Sequence, residues 1–151
     1  MKKILLLIFT AASYFVNAQV GLTNTGNLQI YAGTSITVFF NFLNSSTGNL
    51  INNGSLYVKG DITNDQSSMS TGAGTIYLNG IVTQTISGTQ VFKTYNLITD
   101  NATGIILNNN LCVSGVHTFT AGLITTSATP NYMIYEAGAS YTGSSDASHV
   151  N

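Results

Sequence analysis

Short apolar runs separated by turn residues make up most of the chain from residue 21 onwards. None of these runs shows the periodicity of about 3.6 residues that marks an amphipathic helix. The pairs Asn-Gly, Thr-Gly and Ala-Gly lie between these runs. Short apolar runs separated by such pairs are typical of short β-strands joined by tight turns. The sequence therefore predicts an all-β protein, with strands near residues 28–31, 35–40, 56–58, 75–78, 105–107, 111–113 and 132–135.

Three segments share one pattern of apolar, any, apolar, polar and glycine residues: LYVKG (56–60), IYLNG (76–80) and LCVSG (111–115). Because side chains alternate faces along a strand, the first residues of these segments are expected to share one interior column. That predicted column consists of Leu56, Ile76 and Leu111. The residues expected on the opposite, outer face are Tyr57, Tyr77 and Cys112. The final glycine of each segment is expected to allow a turn conformation that a β-carbon disfavours.

The repeat favours stacked coils. Its copies begin at positions 56, 76 and 111, so the second interval is much longer than the first. We predict a parallel β-solenoid with irregular coils of about 20–25 residues, about five in all. A β-sandwich built from hairpins is the alternative.

Asparagines lie where the predicted coils turn. Asn tolerates the left-handed conformation, and its amide bonds neighbouring backbone, so it suits tight corners. Stacked asparagines on successive coils can also bond one another along the axis. The candidates for such corners are Asn52-Asn53, Asn79 and Asn108 to Asn110.

The composition limits the classes of partner. Charged residues are 6% of the chain, which has no arginine, and only Lys59 and Lys93 supply positive charge after residue 18. Without a basic patch, nucleic acid is excluded as an expected partner. The single cysteine cannot form an internal disulfide.

The segment 1–18 has the regions of a secretory signal peptide: a cationic start at Lys2-Lys3, the apolar run 4–9, and a small residue at Ala18. We expect cleavage after Ala18, so that residues 19–151 form one β-solenoid domain. The mature chain is expected to have no membrane span, because no later segment is long and apolar enough.

One stretch resembles a known family. QTISG (84–88) followed by residues 92–126, FKTYNLITDNATGIILNNNLCVSGVHTFTAGLITT, resembles the repetitive N-terminal regions of secreted surface proteins of Bacteroidetes. Those regions are similar to right-handed parallel β-helices, and the resemblance covers about residues 50–151. It implies an adhesin-like, type IX secretion-associated protein of which this chain is a truncated, N-terminal fragment. The chain departs from the family in stopping at Asn151 without the C-terminal sorting domain. The location implied is extracellular or cell-surface for a longer protein, and periplasmic if the chain ends at Asn151.

Few residues suggest chemistry. His117 is expected to be an ordinary surface histidine, and Cys112, between two apolar neighbours, a structural one. Asp61 and Asp65 are expected to stabilise turns. We therefore predict no enzyme, no cofactor and no metal site.

The function expected from these observations is that of a structural or adhesin-like segment of an exported, surface-associated protein. Surface polysaccharide or another cell-surface polymer is the expected partner, with Tyr57 and Tyr77 as glycan-stacking platforms. The alternatives are a polysaccharide-binding or polysaccharide-lyase-like β-helix and an ice-binding protein. The sequence gives no indication of the oligomeric state.

Overall fold

The computed structural model describes residues 21–126 and 131–151, and the predicted signal peptide at residues 1–18 lies outside these ranges. Every regular element in the described residues is a β-strand. The strands are β1 (Leu22–Asn24), β2 (Asn27–Ile30), β3 (Ser35–Val38), β4 (Phe42–Asn44), β5 (Asn49–Asn52), β6 (Ser55–Val58), β7 (Ile62–Asn64), β8 (Thr75–Leu78), β9 (Gln84–Ser87), β10 (Phe92–Thr94), β11 (Asn96–Asp100), β12 (Ile105–Leu107), β13 (Leu111–Val113), β14 (Val116–Ala121), β15 (Ile124–Thr125), β16 (Met133–Tyr135) and β17 (Ser140–Thr142).

The strands stack into a parallel β-solenoid with three sides. One side is the β1 sheet, in the order β1-β4-β7-β9-β12-β15, and another is the β3 sheet, in the order β3-β6-β8-β11-β14-β17. The third side holds two small sheets, β2-β5 and β10-β13-β16. All pairs between these strands are parallel. The predicted solenoid is confirmed, and the hairpin sandwich is wrong.

Each coil contributes one strand to the β1 sheet, whose six strands give six coils where about five were expected. The first coils have one constant length near the lower end of the predicted range, since Leu22 pairs with Phe42 and Phe42 pairs with Ile62. The next coil is longer, because Ile62 pairs with Ile86. The additional residues lie between β8 and β9, since Leu78 still pairs with Val58. In the same coil the segment 65–74 replaces a strand on the third side.

The interior is built from columns of residues in register. Leu56 and Ile76 are paired neighbours in the β3 sheet and are fully or almost fully buried, so this part of the predicted column is confirmed. Leu111 does not belong to it, since it pairs with Phe92 in a small sheet, and Leu97 takes the place next to Ile76. The prediction failed because each coil has three sides. A strand on any of these sides can show alternating apolar residues followed by glycine, so this local pattern does not indicate the side to which a strand belongs.

Two glycines of the repeat have a role that differs from the expected one. Gly60 and Gly80 are not among the residues with positive φ. A β-carbon on Gly60 would lie 2.6 Å from the carbonyl oxygen of Phe40, and one on Gly80 would lie 2.5 Å from that of Lys59. Both positions need glycine because the backbone of the preceding coil passes too close for a side chain.

The corner asparagines bind backbone on neighbouring coils. Asn53 Oδ1 accepts a hydrogen bond from the Ala73 amide (3.0 Å), and Asn109 Nδ2 donates to the Gly88 carbonyl (2.7 Å). Asn110 Oδ1 accepts from the Tyr132 amide (2.7 Å). The predicted hydrogen bonding of corner asparagines to backbone is confirmed at these positions, but no described asparagine has the left-handed conformation, and Asn79 Oδ1 is buried without a hydrogen-bond partner among the described residues. The bonds of Asn53, Asn109 and Asn110 run along the axis but end on backbone groups.

An asparagine ladder does form in the first three coils, at other positions. Asn24, Asn44 and Asn64 end the first three strands of the β1 sheet and are buried. Asn24 Nδ2 donates to Asn44 Oδ1 (2.9 Å), and Asn44 Nδ2 donates to Asn64 Oδ1 (2.8 Å). Asn44 Nδ2 is also 2.7 Å from Gln66 Oε1, which accepts from the Leu50 amide as well. Buried amides are tolerated here because each finds a partner.

Candidate binding surface on the outer face of the β3 sheet

Twelve side chains in two columns form the outward surface of the β3 sheet, which we call the outer face. Strand register defines both columns. The first column is Ser35, Ser55, Thr75, Asn96, Val116 and Ser140, and the second is Thr37, Tyr57, Tyr77, Ile98, Thr118 and Thr142. None of these residues is charged. Six strands at about 4.8 Å each make the outer face roughly 24 Å long from first to last strand.

Tyr57 and Tyr77, the predicted glycan-stacking residues, are neighbours at the centre of the second column. Their ring centroids are 4.1 Å apart and the ring planes differ by 17°, so the rings are stacked. The interval between the first two copies of the repeat equals one coil, which brings the rings together by pairing β6 with β8 in register. A hydrogen bond with Tyr77 raises the pKa of Tyr57.

The stack determines which ring surfaces a ligand can reach. One face of each ring is covered by the other tyrosine, because 4.1 Å is close to the sum of two ring half-thicknesses. The remaining faces look along the axis, towards Thr37 on one side and Ile98 on the other. A sugar ring therefore cannot stack between the two rings, and it would contact the pair from the outer face, where both side chains are partly exposed.

His117 is not a surface histidine, so that prediction is wrong. It lies in the inner column of the β3 sheet, paired with Leu97, and is fully buried. Nδ1 lies 2.7 Å from the Tyr135 hydroxyl and Nε2 lies 3.2 Å from Thr99 Oγ1. Burial lowers the pKa of His117 to about 4, so the ring is neutral at pH 7. The signal that could have placed it is Phe119, which has the same parity along β14 and is also buried.

Cys112 is buried, with 4% of its surface exposed. Its Sγ lies 3.2 Å from Glu136 Oε1. Burial, followed by the contact with Glu136, raises the pKa of the thiol to about 11. The thiol is thus protonated at neutral pH, and this environment opposes the thiolate that a nucleophile requires.

The aspartates join successive coils. Asp61 Oδ1 accepts from the Thr85 amide (2.7 Å), while Asp65 Oδ1 accepts from the amide (2.9 Å) and the hydroxyl (2.8 Å) of Thr89. Asp61 and Asp65 were predicted to stabilise turns, whereas these hydrogen bonds connect each aspartate to a residue of the next coil. Across residues 21–126 and 131–151, no three His, Cys, Asp or Glu side chains come together in a way that could hold a metal ion. In the same residues no helix is long and apolar enough to cross a membrane.

The fold defines the class of the protein as a parallel β-solenoid with an uncharged outer face. Comparisons with protein-family models, with curated proteins and with solved structures found no match.

Proposed function

We propose that this chain is a non-enzymatic, adhesin-like solenoid segment of an exported, surface-associated protein, and that its outer face binds a neutral polysaccharide. The observation that supports this proposal is the outer face itself, where hydroxyl and amide side chains in register surround a tyrosine pair. Hydroxyl groups on both partners can donate and accept, and aromatic faces cover the apolar side of a sugar ring. A polymer without charge loses no ion hydration on such a surface.

Replacing both tyrosines tests the proposal. We expect Tyr57→Ala/Tyr77→Ala to weaken polysaccharide binding by about tenfold, since two aromatic contacts together contribute roughly 1.4 kcal/mol. Affinity electrophoresis against a panel of neutral and acidic polysaccharides gives the binding profile, and calorimetry gives the dissociation constant for any polymer that retards the chain.

Tyr132→Ala is the matched control, because Tyr132 is 47% exposed and lies outside the outer face. Circular dichroism establishes that each variant is folded. The proposal fails if the double variant retains full affinity, or if Tyr132→Ala weakens binding equally.

Two other functions receive less support from the same residues. A calcium-dependent lyase needs free carboxylates, whereas Asp61 and Asp65 are engaged with the backbone and hydroxyl of the next coil. Ice binding needs an even array of threonines, whereas Tyr57, Tyr77 and Ile98 interrupt the column that contains Thr37 and Thr118. We therefore propose a binding role without catalysis.

Export is the second part of the proposal. The regions of a signal peptide in residues 1–18 support it, and so does the resemblance to secreted surface proteins of Bacteroidetes. We expect the chain recovered from the cell envelope or the medium to begin at Gln19. Mass spectrometry of the intact product measures this directly, and a product that keeps Met1 would contradict it.

A further inference from the structure

The N-terminal end of the solenoid exposes apolar residues that later coils bury. Leu22, Leu28 and Ile36 face the interior of the first coil but are only partly buried. Their paired counterparts in the second coil, Phe42, Leu50 and Leu56, have no exposed surface. The difference arises because a coil buries its inner side chains against coils on both sides, and the first coil has a described neighbour on one side only.

Aromatic side chains gather at the same end. Phe39 is 68% exposed and Phe40 is 40% exposed, directly after β3. They border a groove of about 270 Å³ that Leu22, Ile36 and Val38 also line. Tyr31, at the corner before β3, is 62% exposed.

Within residues 21–58, the strand edges at this end have none of the features that commonly prevent pairing. Among the described residues, β1, β2 and β3 each have a strand neighbour on one side only. Proteins commonly protect such edges with lysine, proline or a bulge. Residues 21–58 contain no charged residue and no proline.

We propose that the N-terminal end is the interface of a dimer, in which a second copy of this chain covers the first coil. Two copies of this end meet without like-charge repulsion and without burying a charge, since neither carries one over residues 21–58. Among the described residues, each copy has open strand edges beside an apolar groove, which the same surface of a second copy can pair with and cover. This inference does not depend on polysaccharide binding.

A two-fold axis satisfies the geometry of the three-sided coil. An axis through the middle of β3 places β3 antiparallel to its own copy and β1 against the copy of β2. Such a contact uses the same surface on both chains and closes on itself. In this antiparallel pair, side chains that face outwards on one copy lie opposite side chains that face outwards on the other. Thr37 therefore lies opposite either the partner's Thr37 or the partner's Ser35.

The opposite end fits a second copy less well. There the residues after β17 already occupy the edge of β15: the Ile124 amide donates to His149 O (2.9 Å), and the Asn151 amide donates to Ile124 O (2.8 Å). Glu136 and Asp146 add negative charge in that region. The contact that we propose is therefore between two N-terminal ends.

Sedimentation analysis of the chain that begins at Gln19 tests the interface. We expect a mass twice that of one chain, and Phe39→Lys should lower it twofold by placing two ammonium groups in the contact. Ile81→Lys is the matched control, because Ile81 is 89% exposed and lies away from the first coil, so it should leave the dimer intact. Both substitutions replace exposed side chains, which leaves folding unaffected.

Cross-linking gives an independent readout. Thr37→Cys should form a covalent dimer with a short bismaleimide, whereas Thr118→Cys, in the same column near the other end, should not. The native Cys112 is buried and protonated, so it does not interfere. A monomeric chain, equal effects of the two lysine variants, or masses that grow into longer assemblies would each overturn the proposal.

Discussion

Replacing Asn44 with alanine is expected to destabilise the solenoid by about 3–5 kcal/mol, a large part of the stability of a small domain. Asn44 is fully buried at the centre of the asparagine ladder. Its side chain accepts from Asn24 Nδ2 and donates to Asn64 Oδ1 and Gln66 Oε1. Alanine would remove the bonds that Asn24 Nδ2 and Asn64 Oδ1 make with Asn44, would leave Gln66 Oε1 with the Leu50 amide alone, and would open a cavity between adjacent coils.

Urea unfolding followed by circular dichroism measures the effect. Asn27→Ala is the matched control, because Asn27 Oδ1 also accepts from an asparagine one coil further on, Asn49 Nδ2 (3.1 Å), but at an exposed position. Water replaces the lost bond there, so we expect a loss below about 1 kcal/mol. Equal losses for the two variants would mean that the ladder has no special role.

The hydrophobic pattern was sufficient to predict how one coil stacks on the next. Alternation places Leu56 and Tyr57 on opposite faces, and the interval between the first two copies of the repeat places them beside Ile76 and Tyr77. Both the interior column and the tyrosine stack follow from that pairing. The tyrosine pair at the candidate site could therefore be predicted from the sequence, although its close ring stacking could not.

The pattern was insufficient where polar residues are buried. Asn24, Asn44 and Asn64 end LTN (22–24), FLN (42–44) and ITN (62–64), and their equal spacing was visible in the sequence. The rule that polar residues lie on the surface does not take this repeat into account. The rule treats each asparagine separately, and a single buried amide would have no hydrogen-bond partner. Stacking supplies the partner, so in a solenoid a polar residue that recurs at the coil length indicates a ladder.

His117 shows the same limit for a titratable residue. Its place in the interior depends on two hydroxyls, Thr99 Oγ1 and the Tyr135 hydroxyl, that come from other coils. Either hydroxyl can donate or accept, so a neutral imidazole is satisfied in both tautomers. No local property of the segment around His117 reveals these partners.

Burial of His117 is expected to make the fold less stable in mild acid. Its pKa is lowered to about 4 in the folded chain, against 6.5 for a free histidine. Above pH 6.5 the ring is neutral in both states, and its packing is fully retained. As the pH falls from 6.5 towards 4, the unfolded chain binds a proton that the folded chain does not, so stability decreases with falling pH by up to about 3 kcal/mol.

The groups around the ring do not offset this loss. Phe119 lies 3.8 Å from His117 between ring centroids, and burial raises the pKa of Tyr135 to about 12, so its phenol stays neutral throughout this range. A charged imidazolium would therefore face a phenyl ring and two neutral hydroxyls without a carboxylate. Most carboxylates titrate near pH 4, so a slope between pH 6.5 and 5 belongs to histidine.

The free energy of unfolding, measured by urea titration between pH 7.5 and 5, tests this expectation. His117→Phe combined with Thr99→Val removes both the titrating ring and the buried hydroxyl that would lose its partner. We expect the slope with pH to disappear in this variant, whatever its absolute stability. His149→Gln removes the other histidine of the chain and should keep the slope. A wild-type stability that stays constant over this range would show that His117 gains a proton without opening the interior, contrary to its burial beside Phe119.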